Sequence, residues 1–167
     1  MTPYRIAVVC LGNICRSPMA AVVLAERVAD AGLADDVEVV SAGTGPWHVG
    51  HPMDDRAAER LTRAGYDATR HRARQIDPGW FETCDLVLAM DAQNHRDVTD
   101  LAASLATPRA RVAMFRDYDP DGGGDVPDPY FGGTDGFEQV LAMVERTSAA
   151  LVDELGPVLR ARAAEAH

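Results

Sequence analysis

Four short apolar runs are spread along the first two thirds of the chain. They occupy residues 6–9, 37–40, 85–89 and 110–114 and are rich in Val, Leu and Ala. Runs of this length and composition are typical of strands that a parallel sheet buries on both faces. The pattern therefore predicts four strands of one sheet.

Helical patterns lie between these runs and after the last one. We predict helices over residues 18–31, 54–64 and 91–104, and Gly32 and Gly65 follow the first two. A final helix begins near Phe137, because apolar residues recur at intervals of three and four along residues 140–155 and form one apolar face. We expect Gly156 and Pro157 to weaken or end this helix, and residues 156–167 to form a frayed tail.

The alternation of strands and helices indicates an α/β fold. We expect a small doubly wound, four-stranded parallel sheet with helices on both faces and the strand order 2-1-3-4. A length of 167 residues suits one domain, residues 1–167. Ligands bind such sheets where the strand order reverses, and the loop after the first strand lies at that point.

The segment that follows the first predicted strand reads Cys-Leu-Gly-Asn-Ile-Cys-Arg-Ser, residues 10–17. A loop this short can curl around one small anion with its N–H groups directed inward, and Arg16 can bind two oxygens of a tetrahedral anion. Pro18 suits the first helical position with Ser17 as the helix cap, so the positive end of the helix faces the same point. We therefore expect Cys10 to be a thiolate nucleophile in a phosphate-binding loop, which indicates phosphoryl transfer through a phosphocysteine.

Four segments together resemble the low-molecular-weight protein tyrosine phosphatase family, and they are residues 10–18, 41–44, 71–75 and 128–130. The resemblance covers nearly the whole chain. It implies a hydrolase that removes phosphate from phosphotyrosine in proteins, with no metal and no cofactor. It also implies that Cys10 is the nucleophile, that Arg16 binds the phosphoryl group and that Asp128 is the general acid.

The same resemblance implies further site residues. The substrate would contact the loop and the walls of a deep crevice, formed by Leu11, Gly12, Asn13, Ile14, Cys15, Ser17, Trp47 and Tyr130. Ser41 and His71 would support the loop through hydrogen bonds to Asn13, which we expect to adopt a left-handed turn. Cys15 would trap an oxidised Cys10 as a reversible disulfide.

Charge and cysteine content narrow the class of protein. The net charge of −10 argues against nucleic acid as a partner, because such binding relies on a basic surface. No apolar run is long enough to span a membrane or to serve as a signal peptide. Three cysteines without a secretion signal favour a reducing compartment. We expect a cytoplasmic monomer that acts on phosphotyrosine-containing proteins.

Three other interpretations remain open at this stage. Residues 117–128 partly match a calcium-binding loop, although the last ligand is Asp128 instead of a bidentate Glu. A thiol-coupled arsenate reductase would use a similar loop but needs two further thiols downstream, and only Cys84 follows. A phosphotyrosine-binding or redox module would keep the loop without turnover. Trp47 and Cys15 could also serve core packing alone.

Overall fold

The computed structural model describes residues 2–166. Four parallel strands form one sheet in the order β2-β1-β3-β4, which confirms the predicted fold class and strand order. The strands are β1 (Tyr4–Cys10), β2 (Val37–Gly43), β3 (Leu86–Ala89) and β4 (Arg111–Met114).

Five helices connect and cover the strands. They are α1 (Arg16–Asp30), α2 (Asp55–Arg63), α3 (Trp80–Thr83), α4 (Ala92–Ala102) and α5 (Asp135–Glu165). A 3-10 turn, Phe115–Tyr118, follows β4. None of the helices described over residues 2–166 combines the length and the apolar composition that crossing a membrane requires.

The sheet separates two apolar clusters, so its two faces are both covered. Alternate residues of β1 face opposite sides, with Ile6 and Val8 in one cluster and Ala7 and Val9 in the other. The first cluster includes residues of α1, α2 and α5, and the second includes residues of α3 and α4. Both faces of β1 are therefore buried, which explains its continuous apolar run.

Helix α5 continues through Gly156 and Pro157 to Glu165, so the predicted end of the helix at this pair is wrong. A proline removes one hydrogen bond of the helix but not the packing of its apolar face. Leu155 is buried before the pair, and Leu159 packs against the same cluster beyond it. These contacts hold both sides of the proline in one helix.

The carboxyl end of β1 lies beside the carboxyl end of β2. Cys10 pairs with Gly43 in the parallel register, and a side chain at Gly43 would place its Cβ 2.8 Å from the carbonyl oxygen of Leu11. Only glycine permits that approach, because a Cβ cannot come so close to a backbone oxygen. The end of β2 therefore supports the loop that follows Cys10.

Candidate active site

The loop between β1 and α1 is closed around the Cys10 sulfur. The Asn13 amide donates to Sγ at 3.3 Å, and the Ser17 hydroxyl lies 3.0 Å from the same atom. Asn13 has φ 57°, the left-handed conformation that the sequence predicted. The sulfur thus lies among hydrogen-bond donors at the start of a helix.

The predicted helix cap at Ser17 is wrong. Helix α1 begins at Arg16, its capping position is Cys15, and no side-chain hydrogen bond caps it. The Ser17 hydroxyl instead turns into the loop, where it accepts a hydrogen bond from Asn13 Nδ2 at 2.8 Å. Pro18 therefore lies in the first turn but not at its first position, and a proline is tolerated there because the turn lacks partners for its N–H groups.

Asn13 is buried and joins the loop to its surroundings. Its Nδ2 donates to the Ser41 hydroxyl at 3.0 Å, and its Oδ1 accepts from the Arg74 amide at 3.0 Å. His71 Nε2 lies 2.6 Å from the Asn13 carbonyl oxygen, so this nitrogen carries the proton because a carbonyl can only accept. Burial lowers the pKa of His71, although that hydrogen bond opposes the effect. Ser41 and His71 thus lie where the resemblance implied.

Arg16 is buried beneath the loop and is held by three oxygens. Nη1 donates to Asp91 Oδ2 at 2.6 Å and to the Val126 carbonyl at 3.1 Å, and Nη2 lies 3.6 Å from Asp128 Oδ2. Burial alone would lower the pKa of Arg16, but Cys10 and the two carboxylates raise it above its ordinary value. The guanidinium therefore remains a fixed cation beside the thiol.

The sequence did not reveal Asp91. Its other oxygen accepts from the Asn94 amide at 2.7 Å and so caps α4. One carboxylate thus begins a helix and orients Arg16. A signal was present in the sequence, since Asp91 is the first residue of a predicted helix that follows a buried strand. Nothing in that pattern identified Arg16 as its partner.

A cleft of about 250 Å³ opens above the loop. The predicted residues Leu11, Trp47 and Tyr130 line it together with Cys10 and Asp128. The cleft also includes two side chains that the sequence did not indicate, His48 and Phe131. Trp47 is 65% exposed, so it forms a wall of the cleft and does not pack in the core. A flat apolar group can therefore enter between aromatic walls.

The three cysteines lie in different surroundings. Cys10 and Cys15 both line the cleft, whereas Cys84 belongs to the apolar cluster under α3 and α4. Burial, with contributions from Asp54 and Cys10, raises the pKa of the Cys15 thiol, and burial also raises that of Cys84. Cys15 is therefore a neutral thiol at pH 7.

The carboxylates of the calcium-like segment contact arginines and a backbone amide, and Asp119 and Asp121 share Arg146. Asp119 is paired with Arg116 and Arg146 at 2.9 and 2.7 Å, and Asp117 accepts from the Met114 amide. Asp128 lies in the cleft. Within residues 2–166, no three side chains of His, Cys, Asp or Glu come together as a metal site would require. This geometry does not support a calcium loop.

Comparisons with known proteins agree on one family. The model of the family "Low molecular weight phosphotyrosine protein phosphatase" matches residues 5–160. A low molecular weight protein-tyrosine-phosphatase of Streptomyces coelicolor is 48% identical over 164 residues, which are 96% of this chain and 99% of the relative.

Solved structures share the fold. YfkJ from Bacillus subtilis superposes with a TM-score of 0.86 at 33% identity and covers 94% of this chain and 97% of its own. A Drosophila arginine phosphatase superposes with a TM-score of 0.84 at 30% identity, and the match covers 90% of this chain and 96% of the relative. With the loop, the arginine and the cleft in place, the chain belongs to the low molecular weight phosphotyrosine protein phosphatase family.

Proposed function

We propose that the protein hydrolyses phosphotyrosine through a phosphocysteine at Cys10. The observation that supports this most directly is the convergence of Cys10, Arg16 and Asp128 on one cleft. Sγ attacks phosphorus, a P–S bond forms, and the P–O bond to the phenol breaks while Asp128 gives its proton to that oxygen. Water then attacks phosphorus and returns a proton to Asp128, and the thiolate leaves with inorganic phosphate as product.

The loop supplies the charge stabilisation of this reaction. Arg16 and the loop amides bind the equatorial oxygens of the phosphoryl group, which carry its charge in the transition state. The Ser17 hydroxyl donates to the sulfur as the thiolate leaves. Asn13 keeps the loop in shape through Ser41 and Arg74, so the donors require no rearrangement when the substrate binds.

The depth and the walls of the cleft support selection of the substrate. A phosphotyrosine ring reaches the loop while it contacts Trp47 and Tyr130, whereas phosphoserine is too short to do so. Aromatic walls stack on a neutral ring, and they also attract a guanidinium through cation–π contacts. One structural relative is an arginine phosphatase, so phosphoarginine belongs among the test substrates.

The test measures hydrolysis of an aryl phosphate, a phosphotyrosine peptide and a phosphoarginine peptide in the presence of EDTA. We expect turnover by the wild type, none by Cys10→Ser, and a loss of about 10²-fold or more with the phosphotyrosine peptide in Asp128→Asn. Wild type without turnover would overturn the assignment. Arsenate reduction and tight phosphotyrosine binding would then be measured as the two alternatives.

We further propose that the chain forms one domain and acts as a monomer in the cytoplasm. Its partners are phosphoproteins, and it binds neither nucleic acid nor membranes. The net charge of −10 and the three free cysteines support these statements. Light scattering of the purified protein tests the monomer, and a single unfolding transition tests the single domain.

A further inference from the structure

The segment that carries Asp128, residues 127–134, has no helix or strand and is largely exposed. Inside it, the Tyr130 amide donates to Asp128 Oδ1 at 3.1 Å. Among residues 2–166, the hydrogen bonds that reach this segment from earlier in the chain come from Arg56. Val126, just before the segment, is anchored by its amide to the Met90 carbonyl, and Arg56 and the ion pair between Arg16 and Asp128 hold the segment itself over the cleft.

Arg56 binds the segment through its backbone and its aromatic side chain. Nη2 donates to the Tyr130 carbonyl at 2.9 Å, and a longer contact of 3.5 Å joins Nη1 to the Gly132 carbonyl. The guanidinium carbon lies 5.5 Å from the centre of the Tyr130 ring and 4.8 Å from that of Phe137. These distances are those of cation–π contacts, so one group joins the middle of the segment to the first turn of α5.

Arg56 is itself fixed to the phosphate-binding loop. Its Nε and Nη2 donate to the two oxygens of Asp54 at 3.2 and 3.1 Å, and the Asp54 amide donates to the Ile14 carbonyl at 2.9 Å. Burial would raise the pKa of Asp54, but the hydrogen bonds from Arg56 outweigh it and lower that pKa. A continuous series of contacts thus runs from the loop through Asp54 and Arg56 to Tyr130.

We propose that Arg56 is a positioning residue that holds the general acid Asp128 over the phosphate-binding loop. The proposal rests on the proposed function, since it assigns a task only if Asp128 donates a proton. Proton transfer requires a distance of about 2.6–3.2 Å between donor and acceptor, and a displaced segment loses it. Arg56 makes no hydrogen bond to Cys10, so its effect on the reaction is indirect, and the proposal assigns that effect to the position of Asp128.

The dependence of the rate on the pKa of the leaving group distinguishes this role from a general loss of structure. Phenolate, like the tyrosine side chain, has a pKa near 10 and needs protonation as it departs. The more acidic 4-nitrophenolate departs with little help from an acid. A variant that displaces Asp128 should therefore slow phenyl phosphate much more than 4-nitrophenyl phosphate.

The experiment compares kcat/KM for the two substrates in Arg56→Gln and in a matched control, Arg60→Gln. Arg60 lies one turn further along α2 and pairs with Glu138 at 3.5 Å, outside the acid segment. We expect Arg56→Gln to lower the value for phenyl phosphate about tenfold or more and that for 4-nitrophenyl phosphate about threefold or less. Arg60→Gln should leave kcat/KM for both substrates unchanged, and with it the ratio between the two values.

A second measurement places Arg56→Gln in the Asp128→Asn background. There it should cause no further selective loss, because the acid is already absent. Equal losses for both substrates in the single variant, or a selective loss that persists in the double variant, would overturn the proposal. Wild type that hydrolyses neither substrate would overturn the proposed function and this role with it, so the two failures are distinguishable.

Discussion

Asn13 combines a left-handed backbone with three buried side-chain hydrogen bonds, and substitution separates the two contributions. Asn13→Ala removes the bonds to Ser17, Ser41 and the Arg74 amide and keeps the strained φ of 57°. We expect it to lower the free energy of unfolding by about 2–4 kcal/mol and kcat/KM by about tenfold or more. Urea denaturation and hydrolysis of 4-nitrophenyl phosphate measure the two effects.

The matched variant is Asn13→Gly, which tolerates a positive φ but also lacks the side chain. It should recover about 1 kcal/mol of stability relative to Asn13→Ala and none of the activity. Recovery of activity by glycine would show that backbone strain, and not the hydrogen bonds, controls the loop.

The pair of thiols in the cleft predicts a specific response to oxidation. Peroxide converts the Cys10 thiolate to a sulfenic acid, and attack by the Cys15 sulfur then forms a disulfide and releases water. Burial raises the pKa of the Cys15 thiol, so this thiol stays neutral and is a poor target for peroxide. We expect dithiothreitol to restore activity in the wild type after peroxide treatment and to restore much less in Cys15→Ser. Equal recovery in both proteins would contradict the disulfide, and mass spectrometry identifies it directly.

Among the elements, the segment between β4 and α5 is fixed by a buried carboxylate. Asp119 pairs with Arg116 and Arg146, and the hydrogen bonds from Arg146 hold its pKa below the usual range. A carboxylate with a lowered folded pKa stabilises the protein above its unfolded pKa of about 3.9, and that stabilisation disappears as the pH falls towards the folded pKa. Asp119→Asn should therefore cost roughly 2–4 kcal/mol at pH 7 and progressively less below about pH 4.

Chemical denaturation of wild type and Asp119→Asn between pH 7 and pH 3 measures this difference. The exposed Asp100 of α4 provides the control, and Asp100→Asn should change stability little at any pH in that range. If the loss in free energy of unfolding caused by Asp119→Asn stays constant down to pH 3, the ionised form of Asp119 does not supply the stabilisation.

Two glycines at helices should respond to alanine in opposite directions. Gly156 lies within α5, and an added Cβ would meet only the mobile end of Arg160, at 3.3 Å. Gly65 follows α2 with φ +93°, which disfavours any side chain. We expect Gly156→Ala to stabilise the protein by about 0.5–1 kcal/mol and Gly65→Ala to destabilise it by about 1 kcal/mol in urea denaturation. A shift in the same direction for both would contradict this reading of α5.

The strands and most helices could be predicted because each has its own pattern along the chain. Prediction from the sequence fails where tertiary contacts override that pattern. β2 continues to Gly43, three residues beyond the predicted end at residue 40, because it pairs with β1 up to Cys10. Helix α3 has only four residues and therefore shows no periodicity. Helix α5 crosses Pro157 because the buried Leu155 and the partly buried Leu159 pack against the same cluster on either side of the proline.

The same limit applies to the residues of the site. Cys10 and Arg16 are near one another in sequence, so the geometry of their loop could be inferred. Asp91 reaches Arg16 across 75 positions, and Arg56 reaches the Tyr130 carbonyl across 74. Contacts of this range depend on how the elements pack, and no local pattern encodes them. Asp128 is also distant in sequence from the loop, and an isolated Asp-Pro indicates only a turn. Only the resemblance to a family therefore identified Asp128 as a site residue.

The whole molecule carries a net charge of −10, yet the proposed function requires its cleft to bind a phosphate anion. The two act over different distances. In the proposed function, Arg16, the loop amides and the start of α1 contact the phosphoryl group directly, whereas the remaining charge acts through solvent. Salt weakens the second effect and hardly affects the first, because the Debye length falls from about 30 Å at 0.01 M to about 8 Å at 0.15 M.

Ionic strength should therefore change the preference between substrates. We compare two phosphotyrosine peptides that differ only in flanking residues, glutamate in one and glutamine in the other. At about 0.01 M NaCl the acidic peptide should have the lower kcat/KM, because the field of the protein repels it, and the gap should narrow towards 0.15 M. Competition by chloride affects both peptides alike and cancels in the ratio. A ratio that does not change with salt would mean that groups at the cleft mouth, and not the net charge, determine how acidic phosphoproteins approach.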